Sequence, residues 1–168
     1  MSILLIFLCP AVFANNLKLS DVVRERDGSI AFMSIGDLND YCKKEYGTRV
    51  PTIRELATFA QSRGARGFLP MDQCDTRWGW VDGKEYYGRG KYPVIYVNAF
   101  NRFNKSRDQF CFDMTGFQPE EGDQRLGSLS ATDGLPNRYN FELKGNVISI
   151  SFSGEFYGYT ARCLLETP

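Results

Sequence analysis

Between Cys42 and Gly67 the chain spells out the start and the stop of a helix, and this stretch constrains the fold more than any other. Thr52 is placed to accept a backbone N–H bond as an N-cap, and Glu55, three residues on, to reach back, which makes a capping box with Pro51 just outside it. Ile53, Leu56, Ala57, Phe59 and Ala60 fall at i, i+3, i+4, i+6 and i+7, so one face is buried, and Gly64 supplies a left-handed stop. Upstream, Ser34 with Asp37 predicts another N-cap, Leu38, Tyr41 and Cys42 share one face, and Gly47 ends that helix. Two short amphipathic helices need a partner surface, and the rest of the chain must supply it.

That partner is a sheet. Asn137 to Leu143, Asn146 to Phe152 and Tyr159 to Leu165 read as an antiparallel meander, turning at Lys144-Gly145-Asn146 and Ser153-Gly154-Glu155. Ile148, Ile150 and Phe152 alternate with Ser149, Ser151 and Ser153, the period of a strand with one buried face. Tyr92 to Phe100 and Gln109 to Met114 are further strands, with Ser106-Arg107-Asp108 as the turn between them. Leu17 to Ile35 predicts a small strand pair around Asp27-Gly28. From Phe68 to about Arg138 Gly, Pro, Asp and aromatic residues dominate, and so long a loop-rich tract inside one domain is functional or pinned. The class is α+β.

Residues 1–14, MSILLIFLCPAVFA, form an apolar run too short to span a bilayer and end on Val12 and Ala14, so we read a secretory signal cut after Ala14. The alternative is a buried N-terminal strand. Bulky Phe7-Leu8 ahead of Cys9 argue against a lipoprotein signal. Residues 15–168 then form a single domain, of a size able to bury a substantial core. Its cysteines, Cys42, Cys74, Cys111 and Cys163, are even in number in an exported chain, secreted or periplasmic, and predict two disulfides with three connectivities open. A formal net charge of +0 gives no general attraction to nucleic acid or anionic lipid, so neither nucleic acid nor membrane insertion of the mature chain is expected.

Tyr41-Cys42, a short polar turn, Arg49-Val50-Pro51-Thr52, Glu55 and an Ala-rich helix ending in an Arg-Gly pair resemble the two-helix segment of the formylglycine-generating enzyme, or sulfatase-modifying-factor, superfamily. Val50 stands where that segment usually has Leu, and Leu56 where an aromatic is common. Gly158-Tyr159-Thr160-Ala161-Arg162-Cys163-Leu164 resembles the superfamily's closing strand, with one extra residue between aromatic and arginine. The resemblance implies a C-type-lectin-like domain, two helices packed on a small, mainly antiparallel sheet with a long loop-rich region. It implies that the first helix lies beside the last strand, hence Cys42 with Cys163 and Cys74 with Cys111. It points to a short, non-catalytic bacterial relative. The enzymes of the superfamily bind copper through two cysteines near the C-terminus, where this chain has only Cys163, and its sulfoxide synthase branch needs histidine ligands.

The chain has no histidine, which removes Ser-His and Cys-His nucleophile pairs, the commonest zinc ligands and an imidazole acid-base. Asp113, Glu120, Glu121 and Asp123 lie close in sequence and are calcium candidates, since a hard cation needs six or more oxygens; the other reading is a solvated acidic loop. Gln118-Pro119-Glu120 resembles the Gln-Pro-Asp sugar motif of calcium-dependent lectins. Trp78, Trp80, Asp82, Tyr86, Tyr87 and Arg89 form an aromatic and polar group suited to sugar faces or a protein partner, with core packing as the alternative. Asn104-Lys105-Ser106 matches a glycosylation sequon. The functional expectation is an exported binding module whose ligand, a glycan, a cell-envelope component or a surface protein, is held by the loops of about residues 74–138. The rivals are a formylglycine-generating-type oxidase or carboxylate hydrolase, and a structural envelope subunit.

Overall fold

The computed structural model describes residues 17–74, 79–81, 84–86, 93–132, 137–155 and 157–165, with backbone alone at 79–81, 84–86 and Lys144. The signal reading of residues 1–14 lies outside them. Helix α1 spans Ile35–Tyr46 and α2 spans Ile53–Ser62. Both N-caps read from the sequence form: Ser34 Oγ accepts from the Asp37 N–H, and Thr52 and Glu55 make the reciprocal capping box. Gly47, at φ 66°, closes α1, and Gly64, at φ 97°, follows the last turn of α2.

Among the described residues eight strands follow: β1 (Gly67–Leu69), β2 (Gly79–Val81), β3 (Lys84–Tyr86), β4 (Val94–Asn101), β5 (Ser106–Asp113), β6 (Gly127–Thr132), β7 (Asn137–Lys144) and β8 (Val147–Gly154). Six form one sheet in the order β1-β5-β4-β6-β7-β8, with every neighbouring pair antiparallel; β2 and β3 make a separate hairpin. Helix α2 buries Ile53, Leu56, Ala57 and Ala60 against Val97, Ala99, Phe110, Phe112, Phe141 and Ile150 on one face of this sheet. Helix α1 packs Ile35, Leu38 and Cys42 with Tyr159, Ala161 and Cys163, and Leu129 of β6 joins that cluster. Ser130, next to Leu129, instead accepts the Ile53 N–H at 2.9 Å through Oγ. Successive strand side chains alternate, so the two helices lie on opposite faces of β6.

Strand β6 falls inside the tract read as loop. Its Gly and Ser residues carry no strand signal, but the site demands small side chains: a Cβ on Gly127 would overlap Ile35 and crowd Tyr159. Three other expectations are corrected. The β4–β5 turn occupies residues 102–105, not Ser106-Arg107-Asp108, because Asn104 Oδ1 accepts the Ser106 N–H (3.1 Å) and hydroxyl (2.7 Å) while Lys105 takes φ 56°. The segment from Tyr159 to Leu165 is not a third meander strand. It crosses to the N-terminal segment, making single bridges Met33↔Tyr159 and Leu19↔Leu164 with Ser20 N–H donating to Cys163 O at 2.8 Å. The strand pair expected over Leu17 to Ile35 reduces to one bridge, Arg24↔Ile30, around Gly28.

Cys42 is joined to Cys163 and Cys74 to Cys111, the pairing the resemblance implies. The first bolts α1 to the terminal segment, and the second ties the chain after β1 to β5. Two disulfides suit an oxidising compartment and are compatible with an exported protein. Among the described residues no helix is long and apolar enough to cross a membrane.

Candidate functional site

Leaving β5, the chain is turned by a buried carboxylate. Asp113 Oδ1 accepts the Thr115 N–H at 2.9 Å, Met114 N–H donates to Pro93 O at 3.1 Å, and Gln118 N–H reaches Arg63 O at 2.8 Å. This holds Thr115-Gly116 against the end of α2, where Gly64 and Gly116 approach so closely that a Cβ on either would strike the other's carbonyl oxygen. Phe117 is thereby set edge-on to Phe141 (centroids 5.5 Å apart) and to Phe59 (6.4 Å). Opposite stands the tip of the β7–β8 hairpin, where Gly145 at φ 61° makes the turn and Leu143 pairs with Ile148.

Between the two opens a cleft of about 570 Å³, lined by Pro93, Met114, Thr115, Gly116, Phe117, Pro119, Gln124, Leu143, Asn146, Val147 and Ile148. Its floor is fixed, since Met114 is buried in the main core. Its hairpin wall is open: Leu143 is 52% and Val147 40% exposed. None of the lining residues carries an ionisable side chain, so the cleft offers shape, apolar surface and the polar groups of Thr115, Gln124 and Asn146. Such a lining offers contact surface and hydrogen bonding, with no group among its residues that titrates near neutral pH.

The four calcium candidates do not converge. Asp123, fully buried, accepts from Arg162 Nε at 2.8 Å, and its Oδ2 takes the Glu120 N–H. Glu120 faces Arg63 (2.6 Å) and Arg162 (2.9 Å), and these hydrogen bonds, Arg63's first, hold its carboxyl below the usual range. Asp113 faces Arg66 at 3.5 Å, and exposed Glu121 faces Arg24 at 3.7 Å. Among the described residues no group of three or more His, Cys, Asp or Glu side chains is arranged to hold a metal. The carboxylates serve arginines. Of the aromatic group, Trp78, Asp82, Tyr87 and Arg89 lie outside the described residues; Trp80 and Tyr86 fall on β2 and β3, in a register that sets Trp80 opposite Glu85.

Sequence reasoning did not single out the cleft. The available signal was Leu143 and Val147, two apolar residues astride the polar Lys144-Gly145-Asn146 turn, where a solvated hairpin tip has no use for them. No family model, no curated protein and no solved structure matches the chain.

Proposed function

We propose that the chain is an exported, disulfide-bonded, non-catalytic binding module of C-type-lectin-like fold, a short relative of the formylglycine-generating enzyme superfamily, whose cleft between residues 114–119 and the β7–β8 tip holds a segment of a partner protein through its apolar side chains. The cleft carries this reading. Its size is that of a ligand site, its floor is rigid, and its lining is apolar with three polar groups at the edge. A partner's Leu, Met or Phe side chain needs apolar walls, which this lining supplies, and burying one contributes roughly 1.5–3 kcal/mol. Part of the lining belongs to the loops of residues 74–138, and fixed scaffolds commonly carry binding groups on such loops.

The oxidised full chain would be screened against displayed peptides, glycans and cell-envelope fragments. The expected ligands are peptides with an apolar anchor, weakened at least tenfold by Leu143→Asp or Val147→Asp. Trp80→Ala and Tyr87→Ala report whether the β2–β3 region adds to binding. Peptide affinities untouched by both cleft variants would remove the cleft, and bound copper with oxygen uptake on a thiol peptide would return the chain to the oxidase class.

A further inference from the structure

Tyr157 and Phe32, 60% and 57% exposed, are the most exposed large apolar side chains among the described residues. The Phe32 ring lies against Gly158, the residue after Tyr157, at the other end of β8 from the cleft, and the strand length sets the two places about 23 Å apart. Reciprocal backbone bonds between Met33 and Tyr159, at 3.1 and 2.8 Å, fix the segments that carry them. The Phe32 ring occupies the place where Gly158 would bear a Cβ, and the Tyr157 ring lies about 3.0 Å from the corresponding place on Gly154. Tyr159 and Ala31 fill the core beneath, so neither ring can fold inward.

Beside them Arg125 lies with its guanidinium 5.4 Å from the Phe32 ring centroid, and its Nε donates to Gly158 O at 3.1 Å. Its terminal nitrogens have no hydrogen-bond partner, and no carboxylate pairs with it, among the described residues. The nearby Glu155 is engaged, accepting from Arg138 at 2.5 Å with Arg102 at 3.7 Å.

We propose that Phe32, Tyr157 and Arg125 form a platform for a carboxylate-bearing saccharide. The apolar C–H face of a pyranose stacks on rings already held in place, so little rotamer entropy is lost, and the sugar carboxylate takes the two free Nη groups of Arg125 as a planar pair. A protein hot spot is a packed, contiguous apolar centre shielded by a rim. Here two protruding rings are separated by glycine backbone and flanked by charge.

The test is calorimetric titration of the oxidised full chain with an oligogalacturonate and with its methyl ester, which keeps the ring faces and loses the charge. The acid binds, the ester binds at least tenfold more weakly, and added salt closes the gap. Arg125→Gln weakens the acid about tenfold and leaves the ester unchanged; Phe32→Ala or Tyr157→Ala weakens both. Phe32 and Tyr157 are more than half exposed and Arg125 is partly buried, and unchanged melting of the variants checks that the fold is intact. Leu143→Asp, in the cleft, leaves oligogalacturonate binding as it was. No acid binding at millimolar concentration, equal affinity for acid and ester, or aromatic variants that bind like the parent would overturn the platform.

Discussion

Replacing Arg162 with Met should be among the most damaging single changes outside the disulfides. The side chain is 5% exposed and makes three bonds: Nε to Asp123 at 2.8 Å, Nη2 to Glu120 at 2.9 Å and Nη1 to the Ser20 carbonyl at 3.1 Å. Its guanidinium also lies 5.0 Å from the Phe59 ring centroid. Methionine keeps much of the volume but leaves the buried Asp123 carboxylate with only the Glu120 N–H. Breaking a buried pair in this way costs about 3–5 kcal/mol, against about 0.2–1 kcal/mol for an exposed one, so the two cases separate cleanly. At this chain length the loss lowers the melting midpoint by on the order of 10 °C. Urea unfolding followed by circular dichroism would measure it, with an unchanged slope against urea showing that the unfolded state is the same. Adding Asp123→Leu to Arg162→Met should recover stability, because the orphaned charge goes with it. A loss below about 1 kcal/mol for Arg162→Met, or no recovery in the double variant, refutes the buried clasp.

The disulfides should differ by loop size. Replacing Cys42 and Cys163, 121 residues apart, with alanine costs about 4.9 kcal/mol by chain entropy, and replacing Cys74 and Cys111, 37 apart, about 3.8 kcal/mol; a larger loss for the second pair in denaturant titrations would contradict this. Thr52→Ala removes the α2 cap and should lower stability by about 1 kcal/mol, while Thr52→Ser keeps it within a few tenths. Burial pushes the Tyr139 and Tyr159 hydroxyls up to about 12. Their contribution is intact below pH 10, the ordinary tyrosine value, and is lost as pH rises from about 10 to about 12, on the order of 2 kcal/mol each. Unfolding free energies that stay flat across that window, or that change less in Tyr→Phe variants at neutral pH than at pH 11, decide whether the two rings carry it.

Helix positions were legible because their determinants are local: a hydroxyl and a carboxylate three residues apart, and a glycine at the stop. The β7–β8 hairpin was legible for a similar reason, since its alternation of isoleucine and serine is confined to one segment. Strand β6 was not, because GSLSAT is chosen by what crosses it. Ile35 and Tyr159 need the space of Gly127, and Ser130 must accept the first N–H of α2 while donating to Asn101 Oδ1 at 2.6 Å. The terminal segment was misplaced because alternation identifies a strand without naming its neighbour. Here the disulfide and Arg162 draw it to Ser20 and Cys163 pairs with α1 rather than β8 with the next strand in sequence. The cleft escaped for the same reason as β6: its walls come from four separated segments.

The residues with the strongest sequence signals are also the ones the frame uses up. Arg49 clamps Glu55 through two bonds of 2.8 Å, Glu55 also takes the Thr52 N–H, and the Pro51 carbonyl accepts from Leu129 of β6 at 3.0 Å. In the closing segment, Arg162 engages its Nε and both Nη groups inside the molecule, and Cys163 is bonded to Cys42. Groups satisfied in this way have little left to offer a ligand. The two segments that resemble the superfamily therefore bear on how the chain is held together, and the exposed apolar side chains lie elsewhere: Leu143 and Val147 at one end of β8, Tyr157 with Phe32 beside Arg125 at the other. A scaffold fixed from within in this way leaves those surfaces free to vary without loss of the fold, and on the function proposed above a ligand meets them rather than the motifs.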